Sequence, residues 1–496
     1  MVSVKKNIVA NFTGSLWSAL MGLAFVPFYI RLMGVESYGI VGVLVSLQGM
    51  LAILDLGLSQ TMSREMAMLA VDRANSRKMA DTARTLEILY WAIALGVAAL
   101  IVLLSGFLAY HWLNPRHLSR NSLMQALWIM ALVIGLRWPV AIYTGGLNGL
   151  QRQVVVNKLL AVFSTLQGAG ALAVLHYVAP TIQAFFVWQA IVALLQVAAL
   201  RAALWRCLDS GSGRFSKAVL HGIWRFAAGM TGTSLVATIL TQTDKILLSK
   251  MLPLAAFGYY TFATTVAGVV FRIIGPVFTA YYPRLTELVS KNELRELTDA
   301  YHQGSQLMAV TVLPVTFLLA FFSKTILELW THNPDIVAHS FLLVSLLVAG
   351  NALNGLMHVP YALQLAYGWT KLAFYQNVVA VLVLVPAIYA ATLRWGAVGA
   401  AGVWIVLNTG YLLISVQVMH RRLLKAEKWR WYLNDVGAPL LPSLIVTAAA
   451  CEMAPGYPGF IAGIAMLAFT FAAASILSAA STASLRSFLF RSWMPK

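Results

Sequence analysis

The residues best suited to chemistry are a few charges set inside apolar runs. Arg137, Lys245 and Arg272 are cations, and Asp55 and Asp244 acids, within stretches long and apolar enough to be membrane helices. A charge at mid-bilayer costs roughly 2.5–3.5 kcal/mol on insertion scales, so these side chains should face protein, water or a ligand rather than lipid. Arginine's planar fork matches phosphate oxygens, whereas a lysine ammonium acts as a point charge. Arg137 and Arg272 each lie about fifteen residues from the outer end of their helix, hence at similar depth for a rise of ~1.5 Å per residue. With Lys245 and Arg31 they make a candidate cationic cavity for an anionic headgroup. The alternative is that either arginine pairs with Asp55, or caps carbonyls freed near Pro139 or Pro276. Asp244 and Lys245 are adjacent near the outer end of their helix, from which Lys245 could snorkel outward. Asp55, on a stripe with Gln48, Ala52 and Ser59, and Asp244 read as salt-bridge partners or as coupling sites, Asp55 for a proton or sodium ion.

The elements that must position these groups are helices with polar stripes. Thr231, Ser234, Thr238, Thr241 and Lys245 recur at three- and four-residue steps, as do Thr261, Thr265, Gly268, Arg272, Gly275 and Thr279. Thr238 and Thr241 are therefore candidate cavity lining. Asn351, Asn354 and His358 form a similar face later in the chain, although interhelical hydrogen bonds explain such a stripe equally well. Asn7, Asn11, Ser15 and Ser18 do the same on the first helix, whose outer end Pro27 should kink.

Composition makes the membrane reading general. The 496 residues are 60% hydrophobic and only 10% charged, with a mean hydropathy of +0.77. Fourteen apolar stretches reach the ~20 residues a span needs, from 8–30 and 38–61 through 226–249, 256–281, 372–392 and 398–419 to 436–453 and 459–481. With the N-terminus inside, inner loops and termini hold 26 of the 35 Lys and Arg, outer loops six and spans three. That bias puts both termini in the cytoplasm and absorbs most of the +18 net charge as topology, so no nucleic-acid partner is expected. Cys207 and Cys451 have neither disulfide nor metal-site spacing, and no nucleotide loop or nucleophile–base pair occurs. No cofactor, metal or enzymatic activity is expected.

A faint internal repeat organises the spans. A shift of 219 sets Ser15-Leu16 on Ser234-Leu235, Arg31 on Lys250 and Tyr38-Gly39 on Phe257-Gly258. Six helices per unit return the chain to the same side, so the repeat is parallel, about an axis along the membrane normal. The expected fold is all-α: a polytopic membrane protein of about 14 transmembrane helices, with two six-helix lobes in pseudo-twofold repeat and two extra C-terminal helices. The expected limits are 1–204 for the first lobe, 205–225 for a cytoplasmic linker and amphipathic helix, 226–420 for the second lobe, and 421–496 for helices 13 and 14 with the tail.

On Arg31-Leu32-Met33-Gly34, Tyr38-Gly39, Asp55-Leu56-Gly57-Leu58-Ser59 and Arg64, the opening resembles Wzx-like polysaccharide exporters of the multidrug/oligosaccharidyl-lipid/polysaccharide (MOP) superfamily. Asp244-Lys245, Gly258-Tyr259-Tyr260 and Tyr282-Pro283-Arg284-Leu285 are similar to that family's second half. The resemblance covers about the first 420 residues. It implies a bacterial inner-membrane flippase moving undecaprenyl-diphosphate-linked oligosaccharide, of an O-antigen, capsule or exopolysaccharide, to the outer leaflet by alternating access. Its implied partners are the lipid-linked oligosaccharide, membrane lipids, polysaccharide polymerase and glycosyltransferases. The count of fourteen helices resembles the peptidoglycan lipid flippases, and a multidrug or cation antiporter of the same superfamily is the other reading.

Overall fold

The computed structural model describes residues 4–70, 75–208, 213–454 and 459–482, and places side chains from Thr13 onward except at 218 and 222–234. The side chains of Asn7, Asn11, Thr231 and Ser234, and the Ser210-Gly211-Ser212 part of the expected linker, lie outside the described residues. No strand occurs among the described residues, and twelve of their helices are long and apolar enough to cross a membrane. The chain is a multi-pass all-α membrane protein. The expected number of spans was fourteen; two of those segments, 372–392 and 398–419, fall in one run, Thr370–Arg422, whose helices meet at Gly396 with φ 56°. The expected span at 226–249 lies in helix Lys217–Met251, part of whose side chains are outside the described set.

Several helices are broken where the sequence carries a breaker. Pro27 opens a new helix, Val26–Met33, after Val4–Ala24 ends. The single span expected at 38–61 is instead helix Val35–Leu51, a short 3-10 turn over Ala52–Asp55, and helix Leu58–Leu69. Leu56 and Gly57 join them with φ of 49° and 73°. The left-handed pair, which Gly57 accommodates without a side-chain clash, stops the helix next to Asp55 and starts another at once. Likewise the stripe through Arg272 is split at Gly268, between helices Leu254–Ala267 and Val269–Lys291.

Backbone contacts divide the chain into two compact units, Met1–Gly258 and Tyr259–Lys496. Helix Lys217–Met251, with which the sequence reading begins its second lobe, packs in the first unit against helix Val35–Leu51. The core of the first unit gathers Leu58, Met62, Met66, Tyr90, Tyr143 and Leu147. Its tightest seam lies between helices Leu58–Leu69 and Val140–Gly149, where a Cβ on Gly145 would strike the Ser59 carbonyl oxygen and one on Gly149 that of Ser63. Small residues one turn apart let the two backbones touch, the usual way helices associate where water supplies no driving force. Near the starts of helices Val35–Leu51 and Leu254–Ala267, a Cβ on Gly39 would meet the Leu254 oxygen and one on Gly258 the Val35 oxygen. These two glycines are the pair that the 219-residue shift superposes.

In the second unit, helix Leu294–Phe321 is central. It packs against Val269–Lys291, Pro334–Leu356, Ala438–Met453 and Phe460–Ser481. The C-terminal pair is thus built into that unit, with Ser478 Oγ donating to the Pro439 carbonyl at 3.1 Å.

Candidate functional site

A cavity of about 370 Å³ in the first unit is lined by Gln48, Asp55, Ser59, Tyr90, Arg137 and Trp138, among others. The helix break supplies two of these groups. Because Leu56-Gly57 turns the chain left-handed, Asp55 ends one segment and Ser59 opens the next, and Ser59 Oγ donates to Asp55 Oδ2 at 2.9 Å. Tyr90, from helix Ser76–Phe107, donates its hydroxyl to Asp55 Oδ1. The glycine seam brings in the third side, since helix Val140–Gly149, held against Ser59 and Ser63, begins just after Arg137-Trp138-Pro139.

Arg137 ends helix Arg120–Arg137 ahead of Pro139. Its Nη2 donates to Gln189 Oε1 at 2.6 Å, whereas its Nε is buried and has no hydrogen-bond partner among the described residues. Among the described residues no carboxylate pairs with it: the salt bridge to Asp55 considered from sequence is replaced at the acid by Tyr90 and Ser59. A buried guanidinium without a counter-ion is costly. Here its neighbourhood offers an anion a delocalised charge, an unused N–H and hydroxyl-bearing walls.

The other cationic candidates lie elsewhere. Lys245 Nζ bonds Asp244 Oδ1 at 3.1 Å and the Thr241 carbonyl at 2.9 Å, so these two neighbours largely satisfy each other. Thr241 donates to the Thr238 carbonyl at 3.2 Å. Arg31 is exposed in the last turn of helix Val26–Met33. In the second unit Arg272 is exposed on helix Val269–Lys291, and among the described residues no hydrogen bond or ion pair holds it. Gly275, one turn on, borders open space, and Thr279 bonds carbonyls of its own helix. Among the described residues, the face around Arg272 is therefore open and its guanidinium uncommitted.

The Asn351–His358 face is used internally. Asn351 Nδ2 donates to the Ala267 carbonyl at 3.0 Å and its Oδ1 accepts from Trp404 Nε1 at 3.0 Å. Asn354 Nδ2 donates to Asn408 Oδ1 at 2.8 Å, and His358 Nδ1 lies 3.0 Å from the Asn354 carbonyl. Interhelical hydrogen bonds, one of the two readings open in the sequence, engage Asn351 and Asn354, whereas His358 bonds the carbonyl four residues before it.

Two polar clusters escaped the sequence reading. Buried Glu87 accepts from Arg201 Nε at 2.6 Å, Arg84 Nη1 at 2.8 Å and the Tyr143 hydroxyl at 2.7 Å, tying three helices of the first unit together. In the second unit His302 sits between Asp435 and Glu427. The available signal was acids at the edges of apolar spans, which orientation bias alone does not require.

Comparison with known proteins agrees with this architecture. Residues 4–289 match the family described as polysaccharide biosynthesis protein, and residues 230–390 match the MatE family. A Shigella flexneri protein named "Putative O-antigen transporter" is 20% identical over 403 residues, covering 81% of this chain and 94% of its own. Among solved structures, the lipid II flippase MurJ in an inward closed conformation aligns with a TM-score of 0.68 at 14% identity, over 98% of this chain and 99% of its own. An inward-facing MATE multidrug transporter of the MOP superfamily also reaches 0.68, at 13% identity over 83% and 96% of the two chains. The fold is thus shared with these transporters, and the chain belongs to the polysaccharide biosynthesis protein family.

Proposed function

We propose that the chain flips an undecaprenyl-diphosphate-linked oligosaccharide from the cytoplasmic to the outer leaflet of a bacterial inner membrane by alternating access, with both termini cytoplasmic. The observation that carries this reading is Arg137: a membrane-embedded guanidinium, short of one hydrogen-bond acceptor, on a cavity whose acid is already engaged by two hydroxyls. A diphosphate ester brings charge and acceptor oxygens that suit this site, and arginine can hold it by two parallel N–H donors. Arg272, uncommitted on its own open face, is the corresponding candidate in the second unit. The family match and the relative named as an O-antigen transporter support an oligosaccharide as the cargo. The protein acts as a transporter rather than an enzyme, and its partners are the lipid-linked substrate, membrane lipids and the glycosyltransferases and polymerase on either side of the step.

The test is reconstitution into liposomes loaded with a polyprenyl-diphosphate oligosaccharide and treated from outside with an enzyme that cleaves the sugar. Translocation should make more than the outer-leaflet share cleavable, and omission of the diphosphate from the lipid should abolish it. A second reading rests on the match to MatE and on Asp55 with its two hydroxyl donors: a cation or drug antiporter. Uptake of a cationic dye against a proton or sodium gradient, with no movement of the lipid-linked sugar, would favour that reading instead.

A further inference from the structure

His302, on helix Leu294–Phe321, has a carboxylate at each ring nitrogen: Nδ1 faces Asp435 Oδ2, and Nε2 lies 2.9 Å from Glu427 Oε2. Side-chain exposure is 2% for His302 and 0% for Asp435, so water cannot stand in for the contact between them. A neutral imidazole has one N–H and one lone pair, and an ionised carboxylate only accepts. With both acids ionised and the ring neutral, one of the two contacts would set lone pair against lone pair. Both form together only when the trio carries one further proton, on the ring or on a carboxyl.

In that state the charges of the cluster balance. Gln306 Nε2 donates to Asp435 Oδ1 at 2.8 Å, and Arg430 Nη1 lies 3.4 Å from Glu427 Oε2. Two acids, one arginine and one protonated histidine sum to zero, whereas loss of the proton leaves the cluster with a net negative charge. The other titratable groups nearby are engaged: Tyr301 faces His420 Nε2 at 3.4 Å, Tyr432 donates to the Leu412 carbonyl at 2.7 Å, and Lys428 donates to Gln417 at 2.9 Å. On the adjoining helix Val269–Lys291, Arg284 and Lys291 pair with Glu287, and Arg284 also with Glu296, at exposed positions. Asp435 lies in the π-helical stretch Trp431–Gly437, and Trp431 within it donates to Ser305 Oγ at 3.1 Å, so the trio sits where the C-terminal helix pair is fastened to the unit's central helix.

We propose that Asp435, His302 and Glu427 form a proton-binding site whose single labile proton closes both contacts and fastens the start of the Lys428–Met453 span to helix Leu294–Phe321. This holds whatever the transporter carries. The fastened state binds the extra proton, so its stability is complete at low pH and is lost as pH rises past the site's own titration.

An amide at either acid position removes the need for the proton. Asp435→Asn or Glu427→Gln donates its own N–H to the ring, and a neutral His302 then completes the second contact. Hydrogen–deuterium exchange across 428–437, in the purified full chain between pH 6 and pH 9 and corrected for intrinsic exchange, reads the fastening. In the wild type the protection should fall by up to about tenfold per pH unit, the limit for one linked proton, while both amide variants should stay flat. Should Asp435→Asn fail to fold, Glu427→Gln decides alone, because Glu427 is 24% exposed and tolerates change. Equal pH slopes in wild type and variant, or a flat wild type, overturn the proposal.

Discussion

Arg137 carries the proposed function because its environment leaves it one obligation unmet. Gln189 takes one N–H, no described residue takes Nε, and the acid on the cavity is occupied by Tyr90 and Ser59. A phosphate role sets an order of activity of Arg, then Lys, then Gln at position 137, because lysine keeps the charge but loses the fork. A charge-assisted hydrogen bond is worth roughly 1.5–3 kcal/mol, hence about a ten- to hundredfold loss of substrate affinity for Arg137→Gln. Complementation of a flippase-null strain at matched membrane levels reads the order, and recovery of wild-type transport by Arg137→Gln with Asp55→Asn would assign the arginine to charge balance instead. Much of this site was legible in the sequence. A stripe of Gln48, Ala52, Asp55 and Ser59 needs only helical periodicity, and an arginine inside an apolar run marks itself. Tyr90 and Gln189 were not legible, because hydroxyl and amide groups are common in spans and only the packing shows which acid or cation they meet. His302 was illegible for a related reason: its partners lie 125 and 133 residues away.

Breaks and seams between helices decide where those residues can meet. The sequence reading drew one straight span through Asp55, and periodicity could not reveal that Leu56-Gly57 would turn left-handed and restart the helix. That turn is held by the glycine seam to Val140–Gly149. Gly149→Val would drive a branched side chain into the Ser63 carbonyl and Met66, an overpacking cost of about 1–3 kcal/mol or more. The melting temperature in detergent should drop, and transport should fall at matched protein levels. Truncation after Arg430 removes Asp435, Gln306's acceptor and the buried Trp431 together, leaving polar groups of helix Leu294–Phe321 uncovered. Such a chain should be made at lower level and melt earlier than full-length protein, measured by fluorescence-detected chromatography after heating. Wild-type stability would mean that the pair is a mere appendage.

For the whole molecule, composition and charge bias were enough to give an all-helical membrane protein. What they could not give was the grouping of helices, because the contacts assign helix Lys217–Met251 to the first unit while the repeat counts it with the second half. A repeat records how the halves are related in sequence, whereas packing follows whichever faces are complementary. The orientation is tested by single cysteines at Lys425 and Asn333 in a variant lacking Cys207 and Cys451: an impermeant thiol reagent applied to intact cells should label residue 333 and spare residue 425. The flippase assignment is tested most directly by deleting the gene and asking in which leaflet the lipid-linked glycan stands. A polyprenyl-diphosphate oligosaccharide should accumulate on the cytoplasmic face, relieved by the wild-type chain and not by Arg137→Gln. Normal arrival of every such glycan at the outer face in the deletion strain would contradict it.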